Sequence, residues 1–294
     1  MSKQKILKVG KITLALFLII SVLSMSLSFI RKDNGDDTIS EDVGITKEPI
    51  KSPLAGKYIS FLGDSITTYE GWSNSTTFNS TIGGNGVYYN ASSGLTVHDT
   101  WWKQLIDTNG MRLCVNNSWN AGRITPRVDI PGAKSRCQQL YNDSKEIYPD
   151  VIVIYLGTND IANGITSDRT FEEAYELVLS GASDIEDPLY MLIFSIEIMR
   201  TKYNCDIFVC TLPPESRTCD KAEELEFFNE QIREIEGNID NCYVVDLFSD
   251  SGITYDNYMN YTIDDGSLRV HPNRFGMDLI TNCVQATFER VYGF

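Results

Sequence analysis

The chain has 294 residues, 42% of them hydrophobic, 11% aromatic and 22% charged. That mix can bury a core, which excludes a mainly disordered chain, a collagen and a small disulfide-stapled scaffold. A formal net charge of −15, from 25 basic and 40 acidic residues, has the wrong sign for a nucleic-acid partner.

Lys3, Lys5, Lys8 and Lys11 precede an uncharged stretch at 12–30, and Arg31 and Lys32 follow it. As a helix this stretch is about 28 Å long, close to the ~30 Å hydrocarbon core of a bilayer. No clear small-residue cleavage site follows. Residues 1–31 are therefore expected to be an uncleaved signal-anchor, with a cleaved signal peptide as the alternative. The four upstream lysines put the body outside the cytoplasm, either held at the cell membrane or secreted. Residues 32–57 carry Asp33, Asp36, Asp37, Glu41, Asp42 and Glu48 with little apolar content, and read as an acidic flexible tether. The folded domain is then expected over 58–294, with no repeat and no second linker.

Residues 58–62 predict a first strand, closed by Gly63-Asp64-Ser65. An Asn-, Ser- and Gly-rich insertion occupies 67–96. Asp99 is positioned to cap a helix from Thr100, whose apolar side would carry Trp101, Trp102, Leu105 and Ile106. A second strand is expected at 111–115 and a weak helix at 132–141. The continuous apolar run at 151–156 suits a central parallel strand covered on both faces. Helices follow at 170–179 and 189–202, and a fourth strand at 206–212, stopped by Pro213-Pro214. Ala222, Leu225, Phe228, Ile232 and Ile235 recur at helical spacing. A fifth strand falls at 242–247, and Pro272 opens a last helix with Met277, Ile280, Val284, Phe288 and Val291 on one face. Strand then helix, five times over, predicts a three-layer α/β/α sandwich around a five-stranded parallel sheet. Its ligands would bind beyond the carboxyl ends of the strands, where Ser65, the 117–122 loop, 157–160 and the region of His271 gather.

Seven cysteines are scattered with no C-x-x-C pair. Cys114, Cys210 and Cys242 lie in or beside apolar runs and read as small buried hydrophobes. An odd count leaves at least one outside any intramolecular pair, and a Cys210–Cys219 disulfide is one option. Two histidines and no cysteine cluster argue against a zinc site, nothing matches a calcium-binding helix–loop–helix, and no cofactor is expected.

A serine ending a buried strand points its hydroxyl out of the sheet edge, and its own N–H faces the same pocket. Asp64 reads as a loop brace rather than a base, because its neighbour occupies the reaction point. Gly157-Thr158-Asn159-Asp160 ends the most buried strand; it is either an ordinary Asx turn or a mount for the Asn159 amide as a donor to a developing oxyanion. Any histidine base must be His98 or His271. His98 sits in the polar insertion and suits a cap or pocket wall, whereas the proline after His271 restrains its backbone.

These blocks together resemble the SGNH hydrolases, also called the GDSL lipase/esterase superfamily. Gly63-Asp64-Ser65-Ile66 matches the first block. Asn117-Ser118-Trp119-Asn120-Ala121-Gly122 keeps the first Asn and last Gly of the second but has Trp119 in place of the inner glycine. Gly157, Asn159 and Asp160 match the third, and His271-Pro272-Asn273 matches the end of the last. The resemblance covers 58–294 and implies a flavodoxin-like fold. It also implies Ser65 as nucleophile, His271 as base, and an oxyanion hole of the Ser65 N–H, the Gly122 N–H and the Asn159 side chain. The acid departs from the pattern: three residues before His271 stands Leu268. Asp265, or alternatively Asp264, is expected to orient His271 if Gly266 and Ser267 bulge outward, and a Ser–His dyad is the competing arrangement. Tyr69, Trp72, Phe78, Tyr88 and Tyr89 in the insertion, and Trp101 and Trp102 after it, either wall a cleft that stacks on sugar rings or simply pack the loop down. With no long apolar lid and an acidic, exported body, the reading is short acyl esters, acetyl first, on a neutral glycan. The alternatives are an O-acyltransferase using the same site and a carbohydrate-binding or surface module without catalysis.

Overall fold

The structure is a computed structural model that describes residues 52–73, 86–183, 185–264, 266 and 268–294. The chain divides into two compact units, Met1–Glu48 and Pro49–Phe294. The first unit lies outside the described residues, and with it the expected anchor at 12–30 and most of the expected tether. Among the described residues no helix is long and apolar enough to cross a membrane.

Five strands form one parallel sheet: β1 (Tyr58–Gly63), β2 (Arg112–Ser118), β3 (Val151–Tyr155), β4 (Asp206–Cys210) and β5 (Cys242–Val245), in the order β2-β1-β3-β4-β5. The main helices are α1 (Trp101–Asn109), α2 (Ala133–Arg136), α3 (Thr158–Ala162), α4 (Phe171–Leu179), α5 (Pro188–Tyr203), α6 (Ala222–Arg233), α7 (Leu247–Asp250) and α8 (Arg274–Tyr292). The chain leaves β1 toward one edge and then crosses back to build the other, so right-handed crossovers send its helices to opposite faces. Accordingly α1 packs on α8, while α5 packs on α2, α4 and α6. This is the expected three-layer α/β/α sandwich. β3, Val-Ile-Val-Ile-Tyr, is buried along its whole length, as a strand between two helix layers must be. The reversal of strand order lies between β1 and β3, and the two strand ends there carry Ser65 and Asn159.

Local chemistry shifts several boundaries. Thr100, not Asp99, holds the cap position of α1; the Asp99 carboxylate turns back to the Thr96 N–H and hydroxyl at 2.8 and 2.7 Å. At α8, Asn273 is the cap and accepts the Gly276 N–H, so Pro272 stands just outside the helix. β2 runs on through the polar Asn116, Asn117 and Ser118, because the buried amides find carbonyls: Asn116 donates to Thr67 and Asn117 to Arg136. The expected tether also ends early. Leu54 is fully buried in the core and Ser52 donates to Asn109, so the packed body starts by Ser52 rather than at Tyr58. All seven cysteines are free, Cys219 half-buried and the others buried, so the Cys210–Cys219 option is not realised. Trp101 and Trp102 lie on the apolar side of α1, as expected; both are core residues with no exposed surface, which removes them as cleft walls, and Phe61 packs edge-on to Trp101.

Candidate active site

β1 delivers the nucleophile candidate. The chain turns at Asp64 into a single 3-10 turn, Ser65–Thr67, with the Asp64 carboxylate capping it by accepting the Ile66 N–H at 2.9 Å. Asp64 is thus the brace that its position suggested. Glycine is required just before it: a Cβ on Gly63 would lie 2.6 Å from the Thr67 side chain and 2.7 Å from Ser118 Oγ. Ser65 Oγ then sits 2.9 Å from His271 Nε2, across 206 residues of chain.

The insertion holds His271 in place. The Tyr88 ring stacks on the imidazole, with centroids 3.3 Å apart and planes 15° apart. The buried Tyr89 hydroxyl donates to the Pro272 carbonyl at 2.8 Å. The Tyr88 N–H donates to Thr68 Oγ1, which itself donates to the Ser65 carbonyl, so His271 and Ser65 share one support.

β3 delivers Asn159 in the first turn of α3. The chain enters through Gly157 at φ +125°, where a Cβ would come within 2.9 Å of Leu212. The Asn159 amide nitrogen donates to the Gly122 carbonyl at 3.0 Å, and its oxygen accepts from Arg217 Nη1 at 3.1 Å. Asp160 is buried and accepts three bonds, from the Ile124 N–H, the Thr125 N–H and the Thr125 hydroxyl. It ties the loop after β2 to the end of β3. A model of the GDSL-like lipase/acylhydrolase family matches residues 61–279, which take in all of these groups.

The chain belongs to the GDSL-like lipase/acylhydrolase family. Solved structures agree on the fold. A Bacteroides ovatus protein assigned as a GDSL-like lipase is 24% identical, with a TM-score of 0.55 over 80% of this chain and 99% of its own. A Lactobacillus plantarum protein is 15% identical, with a TM-score of 0.57 over 81% of this chain and 99% of its own. No functionally curated protein matches the chain. The family makes this protein a serine esterase of the GDSL type.

Within this GDSL-type esterase the other candidates fare unequally. The Gly122 N–H donates to the Trp119 carbonyl at 2.8 Å, closing a turn in which Ala121 takes φ +58°. Gly122 therefore offers the site its carbonyl, as the seat of the Asn159 amide, while its N–H is spent in the turn. Asp264, the alternative acid, is engaged by other partners: it pairs with Arg269 Nη2 at 2.6 Å and accepts the Gly266 N–H. Asp265 lies outside the described residues, as does Phe78 of the insertion. His98 is exposed and stands 3.0 Å from Asp107.

Two arginines and a glutamate were not foreseen from sequence. Arg136 is fully buried and donates to the carbonyls of Gly63, Asn117, Arg123 and Pro131, gathering the ends of β1 and β2. Burial lowers its pKa to about 10, against the raising effect of Asp64 and Asp160. Glu215 and Arg217, in the loop after β4, form an ion pair. No motif marks these three; each is a lone charge in a loop or short helix until the fold closes. Burial also raises Asp64 to about 7, although the Ile66 N–H, Arg217 and Arg136 pull the other way, and raises Asp160 and Glu215.

Proposed function

We propose that the protein removes short acyl groups, acetyl first, from a neutral carbohydrate through a Ser65 acyl-enzyme. The single observation that carries this reading is the 2.9 Å approach of Ser65 Oγ to His271 Nε2 at the carboxyl end of the sheet. His271 Nε2 takes the Ser65 proton as Oγ attacks the ester carbonyl. Negative charge gathers on the former carbonyl oxygen, and the Ser65 N–H and the Asn159 Nδ2–H donate to it. The tetrahedral intermediate collapses, His271 returns the proton to the departing alcohol, and the acyl group stays on Ser65. Water then attacks the acyl carbonyl, His271 takes its proton and returns it to the departing Ser65 oxygen, and the carboxylic acid and the free serine hydroxyl result. Gly122 supports the hole through its carbonyl; its N–H joins only if the turn at Trp119 opens.

The finer reading rests on composition and surface. The Tyr88 ring lies on the imidazole of His271, so an aromatic side chain stands beside the reacting bond. The acidic body repels polyanions and leaves neutral glycans favoured. The N-terminal segment would hold the enzyme at the outer face of the membrane.

The test is incubation of the chain with a serine-directed phosphonate and with p-nitrophenyl acetate. One adduct per chain on Ser65, with loss of turnover, is the expected result; an active enzyme labelled elsewhere overturns the assignment. Acetate release from acetylated xylan and mannan, compared with pectin and peptidoglycan, tests the substrate class. Added acceptor alcohols separate hydrolysis from acyl transfer.

A further inference from the structure

Asn159 has only one way to sit in its surroundings. On one side stands the Gly122 carbonyl, which only accepts; on the other stands the Arg217 guanidinium, which only donates. An amide flipped by 180° would face N–H to N–H and oxygen to oxygen. Arg217 therefore selects the rotamer that leaves the second Nδ2–H for an oxyanion, and its positive charge draws electron density toward Oδ1, which strengthens that donor.

Arg217 is itself held. Its Nε donates to Glu215 Oε1 at 3.0 Å and its backbone N–H to Oε2 at 2.7 Å. Glu215 is 4% exposed. The Glu215 N–H donates to Thr218 Oγ1, and the Ser216 N–H donates to the Arg269 carbonyl while Ser216 Oγ accepts the Arg269 N–H. One loop thus joins the Asn159 amide to the segment that ends in His271.

We propose that Arg217, fixed by Glu215, is a positioning residue that sets the orientation and donor strength of the Asn159 amide. This rests on the reading of Asn159 as an oxyanion donor. The experiment is a double-mutant cycle in the full chain with p-nitrophenyl acetate, using Asn159→Ala, Arg217→Met and the pair. Arg217→Lys, Glu215→Gln and thermal melts accompany it. Arg217→Met should lower kcat roughly 10- to 100-fold with KM within about threefold, and Arg217→Lys should recover part of the loss. In the Asn159→Ala background Arg217→Met should cost less than about threefold, because the group it acts through is gone. A normal kcat for Arg217→Met overturns the proposal, and so do losses that simply multiply in the double variant. If Arg217→Met does not fold, Glu215→Gln and Arg217→Lys carry the same cycle. An Asn159→Ala enzyme with wild-type kcat overturns the underlying oxyanion reading instead, which is a different outcome from a damaged Asn159→Ala enzyme beside an intact Arg217→Met one.

Discussion

At the scale of single residues, Asn159 and Asp64 make separable demands on the enzyme. As the proposed oxyanion donor, the Asn159 amide would be worth most when charge has developed on the substrate oxygen. Asn159→Ala should therefore lower kcat by about a hundredfold with little change in KM, read from steady-state kinetics. Asp64 affects stability. Burial lifts its folded pKa to about 7 from an ordinary 3.8. Between those values the folded protein keeps a proton that the unfolded chain has released. Stability then falls as pH rises through this window and levels off above it. Asp64→Asn keeps the acceptor for the Ile66 N–H and never ionises. Its Tm should match that of the wild type near pH 4 and exceed it increasingly up to pH 8, by an effect on the order of a few kcal/mol. A pH-independent difference in calorimetry would remove Asp64 as the cause.

Among elements, the crossover loops carry the site and a few buried groups hold them. Asp160 accepts all three of its bonds from the loop that contains Gly122. Asp160→Ala would strand two backbone donors and a hydroxyl in a dry interior, at about 1–3 kcal/mol for each unsatisfied group. We expect a lowered Tm together with a lowered kcat, since the seat of the Asn159 amide moves with the loop. A variant that loses stability but keeps full kcat would mean the loop holds its place without this brace. The insertion acts in the same way from the other side, through Tyr88 on the imidazole and Tyr89 on the Pro272 carbonyl.

For the molecule as a whole, two expectations concern its limits and its charge. Leu54 fills the core from a stretch that looks like linker. Leu54→Ala should cost roughly 2–5 kcal/mol and lower Tm by roughly 5–15 °C, measured by scanning calorimetry. A fragment beginning at Tyr58 should be similarly weakened relative to one beginning at Pro49, and equal melting temperatures would show that 49–57 adds nothing to the fold. The net charge of −15 should make acetylated polyanions poorer substrates than neutral polymers, and added salt should narrow the gap by screening. A preference that ignores ionic strength would assign the discrimination to the cleft instead.

The order of strands and helices was legible because burial imposes a period. The run Val-Ile-Val-Ile-Tyr at β3 and the stripe of Leu225, Phe228 and Ile232 on α6 are local patterns that need no distant partner to be recognised. Ser65, Asn159 and His271 were singled out by short blocks that resemble those of the family, each ending or preceding an element, and the fold brings Ser65 and His271 to 2.9 Å. Boundaries at caps were less legible, since whether Asp99 or Thr100 closes a turn depends on which carboxylate rotamer finds an N–H. What remained hidden needed contacts across the chain. Arg136, Glu215 and Arg217 are ordinary charged residues until folding removes water from them and leaves only specific carbonyls and carboxylates as partners. Leu54 looks like part of a linker until the core closes over it, and Gly122 looks like a donor until Trp119 takes its N–H. Composition and periodicity determined which layers form and which groups meet at the strand ends. Only the tertiary structure decided which polar group satisfies which, because that choice is made by burial, and burial belongs to the folded whole.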